Sequence, residues 1–157
     1  MGHRADAIVV QSNPGTNAMR HIPDYPLWLG HAGDARDKHE LMRLGIGAVV
    51  DLAVEEPPAV AGHEMVYCRF PLVDGTDNPP WLLRAAIDTA ANLLRHRVPT
   101  LVACGGGISR APAVAAAALV QLGRPNLQDA LLYLAQFGRC DVTAGLLQDV
   151  VRATARD

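Results

Sequence analysis

The sequence predicts an α/β fold, a central and mostly parallel sheet of about four to five strands flanked by helices on both faces. Three observations carry that expectation. Short apolar runs alternate with segments of helical spacing along the chain. The run at 48–53, Ala-Val-Val-Asp-Leu-Ala, is nearly continuous in apolar character, as a strand buried on both faces requires. The chain then finishes helix after helix.

Taken in order, residues 7–10 form a short strand candidate ended by the turn formers Asn13, Pro14 and Gly15. A second short strand is expected at 27–30. Asp34 is a good N-cap for a helix whose spacing runs through Ala35, His39, Leu41 and Met42, with Gly45 placed to stop it. After the strand at 48–53 comes another, Glu-Met-Val-Tyr-Cys-Arg-Phe-Pro-Leu, closed by Pro71. Asn78 followed by Pro79 reads as an N-cap with proline at the first helical position. That helix runs to about Arg95 and gathers Leu83, Ala86, Ile87, Ala90 and Leu94 on one face. Residues 100–103 make a short apolar strand. The stretch from Ser109 reads as a helix apolar on nearly every side, and therefore central. Asn126 caps a helix at 127–137, and a last one at about 144–153 turns Leu147, Val150 and Val151 inward.

Composition bounds the function. The 157 residues fit one domain, expected over 1–157 with its core at about 25–155; half are hydrophobic and 19% are charged, which is globular usage. A net charge of -2 offers no basic excess for nucleic acid and no polybasic patch for a membrane, so neither partner is expected. No run approaches the ~18 apolar residues of a membrane span, and the N-terminus shows no signal-peptide pattern. Three cysteines, Cys68, Cys104 and Cys140, suit neither a disulfide framework nor a zinc site, and a reducing, cytoplasmic location is expected. The six histidines show no ligand spacing, so no metal or cofactor is expected. Cys68, Trp28 and Trp81 read as packing residues, with Cys68 also a candidate redox partner for Cys104 and Trp81 a candidate substrate contact.

The chemistry concentrates in Leu-Val-Ala-Cys-Gly-Gly-Gly-Ile-Ser-Arg-Ala-Pro, residues 101–112. Gly105, Gly106 and Gly107 allow the backbone to curl so that successive N–H groups converge. The helix that follows adds unpaired N–H groups and a positive dipole end. The result is an anion cradle of phosphate size, formed by 105–110, in which Arg110 can grip two oxygens at once. Cys104 lies at the bottom. Amides that attract the anion also stabilise a thiolate, which would sit aligned beneath the phosphorus. Ser109 is near enough in sequence to hydrogen-bond the sulfur and ease its departure.

The fuller pattern of apolar strand, Cys104, Gly107, Ser109, Arg110 and small-residue helix resembles the Cys-x-x-Gly-x-Ser-Arg signature of the cysteine-based protein tyrosine phosphatases, in their dual-specificity branch. Residues 25–52 look like that family's opening strand, helix and second strand, and the likeness spans roughly 25–150. The resemblance implies a protein phosphatase acting through a phosphocysteine without metal, on a phosphorylated protein or a small phosphomonoester. It implies a general acid about thirty residues before the cysteine, which Asp74 supplies, with Asp77 the alternative; Gly75 leaves that loop free to move. It also sets residues 54–60 where the family has a loop controlling pocket depth, so Glu55 and Glu56 either repel acidic substrates or face solvent. The chain departs from the family at Ala103, where histidine is usual, and at Ala111, where serine is common. Two other functions compete. One is a phosphate-binding adaptor, a catalytically weak or inactive pseudophosphatase; the other is a sulfur-transferase of the rhodanese kind.

Overall fold

The computed structural model describes residues 19–60, 62 and 64–155; the strand expected at 7–10 lies outside them. The chain runs β1 (Arg20–Ile22), β2 (Leu27–His31), α1 (Ala32–Arg36), α2 (Lys38–Arg43), β3 (Ala48–Ala53), β4 (Val66–Leu72), α3 (Pro80–Arg95), β5 (Thr100–Cys104), α4 (Arg110–Gln121), α5 (Leu127–Ala135) and α6 (Ala144–Thr154). The five strands form one sheet in the order β1-β2-β5-β3-β4. Only the β1–β2 pair is antiparallel; β2–β5, β5–β3 and β3–β4 are parallel. The predicted fold class holds.

The two central strands explain their own sequences. Both β3 and β5 are buried along their whole length, so successive side chains serve opposite faces. Val50, Leu52, Val102 and Cys104 join the larger core under α3, α4, α5 and α6. Val49, Leu101 and Ala103 join the smaller one with Ala35, Leu41 and Ile46. Helix α4 is the pivot of the larger core. Ten of its residues, Arg110 to Leu119, are buried, and six of those are alanine, small enough to let the sheet and the neighbouring helices close in.

Several local expectations are corrected. The single helix behind Asp34 is two short ones. His31 caps α1, with Asp34 closing a reciprocal capping box, and Asp37 caps α2. Pro71 does not close β4, which continues to Leu72. This is an edge strand, where a missing N–H costs least. Asn78 is not the cap of α3; Pro79 holds that position without a side-chain bond, and the Asn78 side chain is used elsewhere. In α6 the inward residues are Leu146, Asp149, Val150 and Ala153, whereas Val151 is 55% exposed. Trp81 is likewise solvent-facing rather than packed, at 72% exposure, while Trp28 stacks on His21 with ring centres 4.3 Å apart. Asn126 does cap α5, accepting from the Asp129 N–H.

Candidate active site

Strand β5 ends at Cys104 and α4 begins at Arg110, so residues 105–109 form the turn between the carboxyl end of a central strand and a buried helix. This is where open α/β sheets build ligand sites. Two glycines are sterically required. Gly107 has φ +78°, and a Cβ there would stand 2.8 Å from the Gly30 carbonyl oxygen of β2. A Cβ on Gly105 would stand 2.8 Å from Arg110 Nη2 and overlap the Glu55 carboxylate.

Cys104 is 1% exposed. Its Sγ accepts two backbone hydrogen bonds, from Gly107 N at 3.2 Å and from Ala111 N, in the first turn of α4, at 3.3 Å. Loop amide and helix end thus converge on one sulfur.

Arg110 is buried, and its donors can be counted. A guanidinium carries five N–H groups. Nη1 donates to Glu55 Oε1 at 2.7 Å and to the Leu72 carbonyl at 2.8 Å, and Nη2 donates to Glu55 Oε2 at 2.5 Å. That leaves Nε–H and the second Nη2–H, which share one edge of the group. Nε is fully buried and has no partner. The unsatisfied edge is the bidentate fork that an oxyanion fits. Burial pulls the Arg110 pKa down, but the hydrogen bonds to Glu55 and the charges of Cys104, Glu55 and Asp74 outweigh it, so the group is held above its ordinary value.

Glu55 was not recognisable as a site residue in the sequence, where it could repel acidic substrates or face solvent; the fold pairs it with Arg110. Hydrogen bonds from Arg110 lower its pKa below the usual carboxylate range. The segment that carries it is tethered around it. Arg36 of α1 reaches Glu56 and the Pro57 carbonyl, and the Ala59 N–H donates to the Tyr67 hydroxyl. That hydroxyl in turn donates to the buried Asp51 of β3. No local signal in Glu-Glu-Pro-Pro announces this, because the partner lies 55 residues away.

Asp74 and Asp77 are separated by the fold. Asp74 Oδ1 accepts from the Ser109 hydroxyl at 2.6 Å and from the Thr143 hydroxyl at 3.3 Å, at the rim of the cradle. Asp77 sits exposed with φ +72°. Ser109, expected to reach the sulfur, is turned towards Asp74 and also accepts from the Thr143 N–H. The loop that carries Asp74 and Asp77, where Gly75 suggested freedom to move, is crossed by hydrogen bonds of Asn78. Asn78 Nδ2 donates to the Val73 and Gly75 carbonyls, and its Oδ1 accepts from Val73 N. The Asn78 backbone and side chain are both bound by Asp149 of α6. Among the described residues no group of His, Cys, Asp or Glu has the clustering of a metal site.

The fold recurs in solved structures. A mouse protein provisionally assigned as a dual specificity phosphatase, in complex with zinc tungstate, superposes with a TM-score of 0.77 over 92% of this chain and 91% of its own, at 20% identity. Human DUSP28 gives 0.74 over 85% and 94%, also at 20% identity. The chain has the dual-specificity phosphatase fold. The same phosphatase fold is shared by the human tyrosine phosphatase-like serine/threonine/tyrosine-interacting protein, at a TM-score of 0.74, 19% identity and 87% and 95% coverage. No protein-family model matches the sequence, and no curated protein does. Among the described residues of this phosphatase fold, no helix is long and apolar enough to cross a membrane.

Proposed function

We propose that the protein is a cysteine-dependent phosphatase that hydrolyses phosphate monoesters, of a phosphorylated protein or a small molecule, through a phosphocysteine intermediate. One observation carries the reading. A buried sulfur held by two inward N–H groups lies at the same turn as a buried guanidinium whose Nε edge has no partner. Amides of 105–110 and that edge would bind the phosphoryl oxygens, Gly105, Gly106, Gly107 and Ile108 contributing backbone only. The cradle offers one cation and no lysine, which suits a single phosphate.

In the first step Cys104 Sγ attacks phosphorus. The S–P bond forms as the ester P–O bond breaks, and Asp74 gives the leaving oxygen its proton. In the second step a water attacks phosphorus and Asp74 takes its proton. The S–P bond then breaks with the electron pair returning to sulfur. Ser109 would assist by turning its hydroxyl from Asp74 to the departing thiolate. No step needs a metal, so a chelator is expected to leave the rate unchanged. A reducing compartment such as the cytoplasm would keep the thiol available.

Hydrolysis of an aryl phosphate tests the scheme. Cys104→Ser is expected to abolish turnover, and Asp74→Asn to lower kcat by about 10²- to 10⁴-fold. Wild-type turnover in Cys104→Ser would overturn the mechanism, and a larger loss in Asp77→Asn would move the acid there. A wild-type protein that binds phosphopeptide but releases no product in a single turnover would be the adaptor instead.

A further inference from the structure

A cradle of inward N–H groups has a geometric corollary. Peptides that turn N–H inward turn carbonyls outward, and an outward carbonyl in a buried loop needs a donor of its own. Two such carbonyls are anchored here. Ile108 O accepts from Asp141 N at 2.7 Å, in the chain leading to α6. Gly107 O accepts from Arg20 Nη2 at 3.0 Å, across 87 residues, and Arg20 belongs to edge strand β1. The N–H of that same peptide belongs to Ile108, while the Gly107 N–H, one peptide earlier, meets the Cys104 sulfur.

Arg20 is an unusual neighbour. Its side chain lies against Gly138, where any Cβ would overlap the Arg20 Cδ. Its Nε is buried without a partner. Among the described residues no carboxylate stands within ion-pair distance of it. The groups whose charge it does feel are Cys140, Cys104 and Asp34. Burial pushes the Cys140 thiol up and so favours its neutral form. Asp34 is also pushed up by burial, and it is occupied by the His31 backbone N–H. A desolvated cation without a carboxylate partner is expensive to keep, and the anion site beside it is the 105–110 turn, whose Gly107 carbonyl it holds. Ala103, next to the cysteine, offers no polar group for the task.

We propose that Arg20 is a positioning residue for the reaction: it pins the Gly107 carbonyl outward so that the Ile108 N–H of the same peptide faces the cradle, and it places a cation beside the turn that carries Cys104. The proposal rests on the reading of Cys104 as nucleophile, and the test separates the two. Iodoacetamide alkylation at pH 7 is followed at each cysteine by peptide mass spectrometry, with and without inorganic phosphate, in wild type, Arg20→Gln and Arg20→Lys. Folding is checked by circular dichroism. In wild type, Cys104 is expected to react faster than Cys68 and Cys140 and to be protected by phosphate. If it is neither faster nor protected, the phosphatase reading fails first. Given that behaviour, Arg20→Gln should slow Cys104 about tenfold and leave Cys68 unchanged, with Arg20→Lys in between because it keeps the cation. A folded Arg20→Gln that reacts at the wild-type rate overturns the proposal, as does a lysine variant no better than the glutamine one. Should Arg20→Gln fail to fold, Arg20→Lys decides alone. Its loss of the planar fork must slow Cys104 by about threefold or more, and a wild-type rate overturns the assignment.

Discussion

The Arg110–Glu55 pair shows how much one side chain can mean when its hydrogen bonds are counted. Glu55 and the Leu72 carbonyl occupy three of five donors and thereby aim the remaining two. Two effects of Glu55 oppose each other. Its carboxylate repels an incoming phosphate, and it fixes the plane that receives it. Its side chain is 48% exposed, so water and salt screen the repulsion, whereas an undirected buried guanidinium loses a charge-assisted fork worth about 1.5–3 kcal/mol per bond. Orientation wins. Glu55→Ala is expected to lower kcat/KM for an aryl phosphate by about tenfold; a rise would show instead that Glu55 competes with phosphate. The pairing also has a pH sense. A carboxyl lowered by its partner contributes above its unfolded value and loses that contribution as pH falls through the folded one.

At the scale of elements, the acid loop and α6 behave as one unit. Asn78 staples the loop to itself, and Asp149 holds Asn78 from the other side while also accepting from Arg152. Asp74 is therefore presented by a turn braced from two sides. Disturbing the brace should hurt most where a proton is most needed. Asn78→Ala is expected to slow hydrolysis of an alkyl phosphate much more than that of a nitrophenyl phosphate, whose leaving group departs readily as the anion. Equal slowing of both would assign Asn78 to stability alone. Although burial works to raise it, Asp149 is brought below the usual carboxylate range by its bonds from Asn78 and Arg152. Its contribution is present at neutral pH and lost on acidification through the lowered pKa. The gap in Tm between wild type and Asp149→Asn should accordingly narrow as pH falls, and a constant gap would remove this assignment.

Across the whole molecule, the site depends on how closely α4 can approach the sheet. The alanines of α4 set that distance, since its first turn must deliver the Ala111 N–H to a sulfur on β5. Ala116→Leu adds volume to a fully buried position. The expected cost is about 1–3 kcal/mol of stability, read from a urea midpoint at unchanged slope. A change within error would mean that the core around α4 holds unfilled space.

Sequence alone determined what is contiguous. The strand, the glycine turn, the cysteine and the arginine fall within 100–121, and short-range sterics and helix-end electrostatics act over that span whatever the rest of the chain does. The alternation of buried strands with amphipathic helices was legible for the same reason, as a periodicity within each segment. Tertiary structure decided everything that depends on distant partners. It set Asp74 against the Ser109 hydroxyl, 35 residues on, and left Asp77 exposed. It turned Asn78 from a helix cap into a staple, and brought Glu55, Asp149 and Arg20 to the site from 55, 71 and 87 residues away from the groups they hold. A charged side chain carries no mark in its own neighbourhood of the partner it will meet. Only the packing of β1, the 54–60 loop and α6 around β5 and α4 selects those partners.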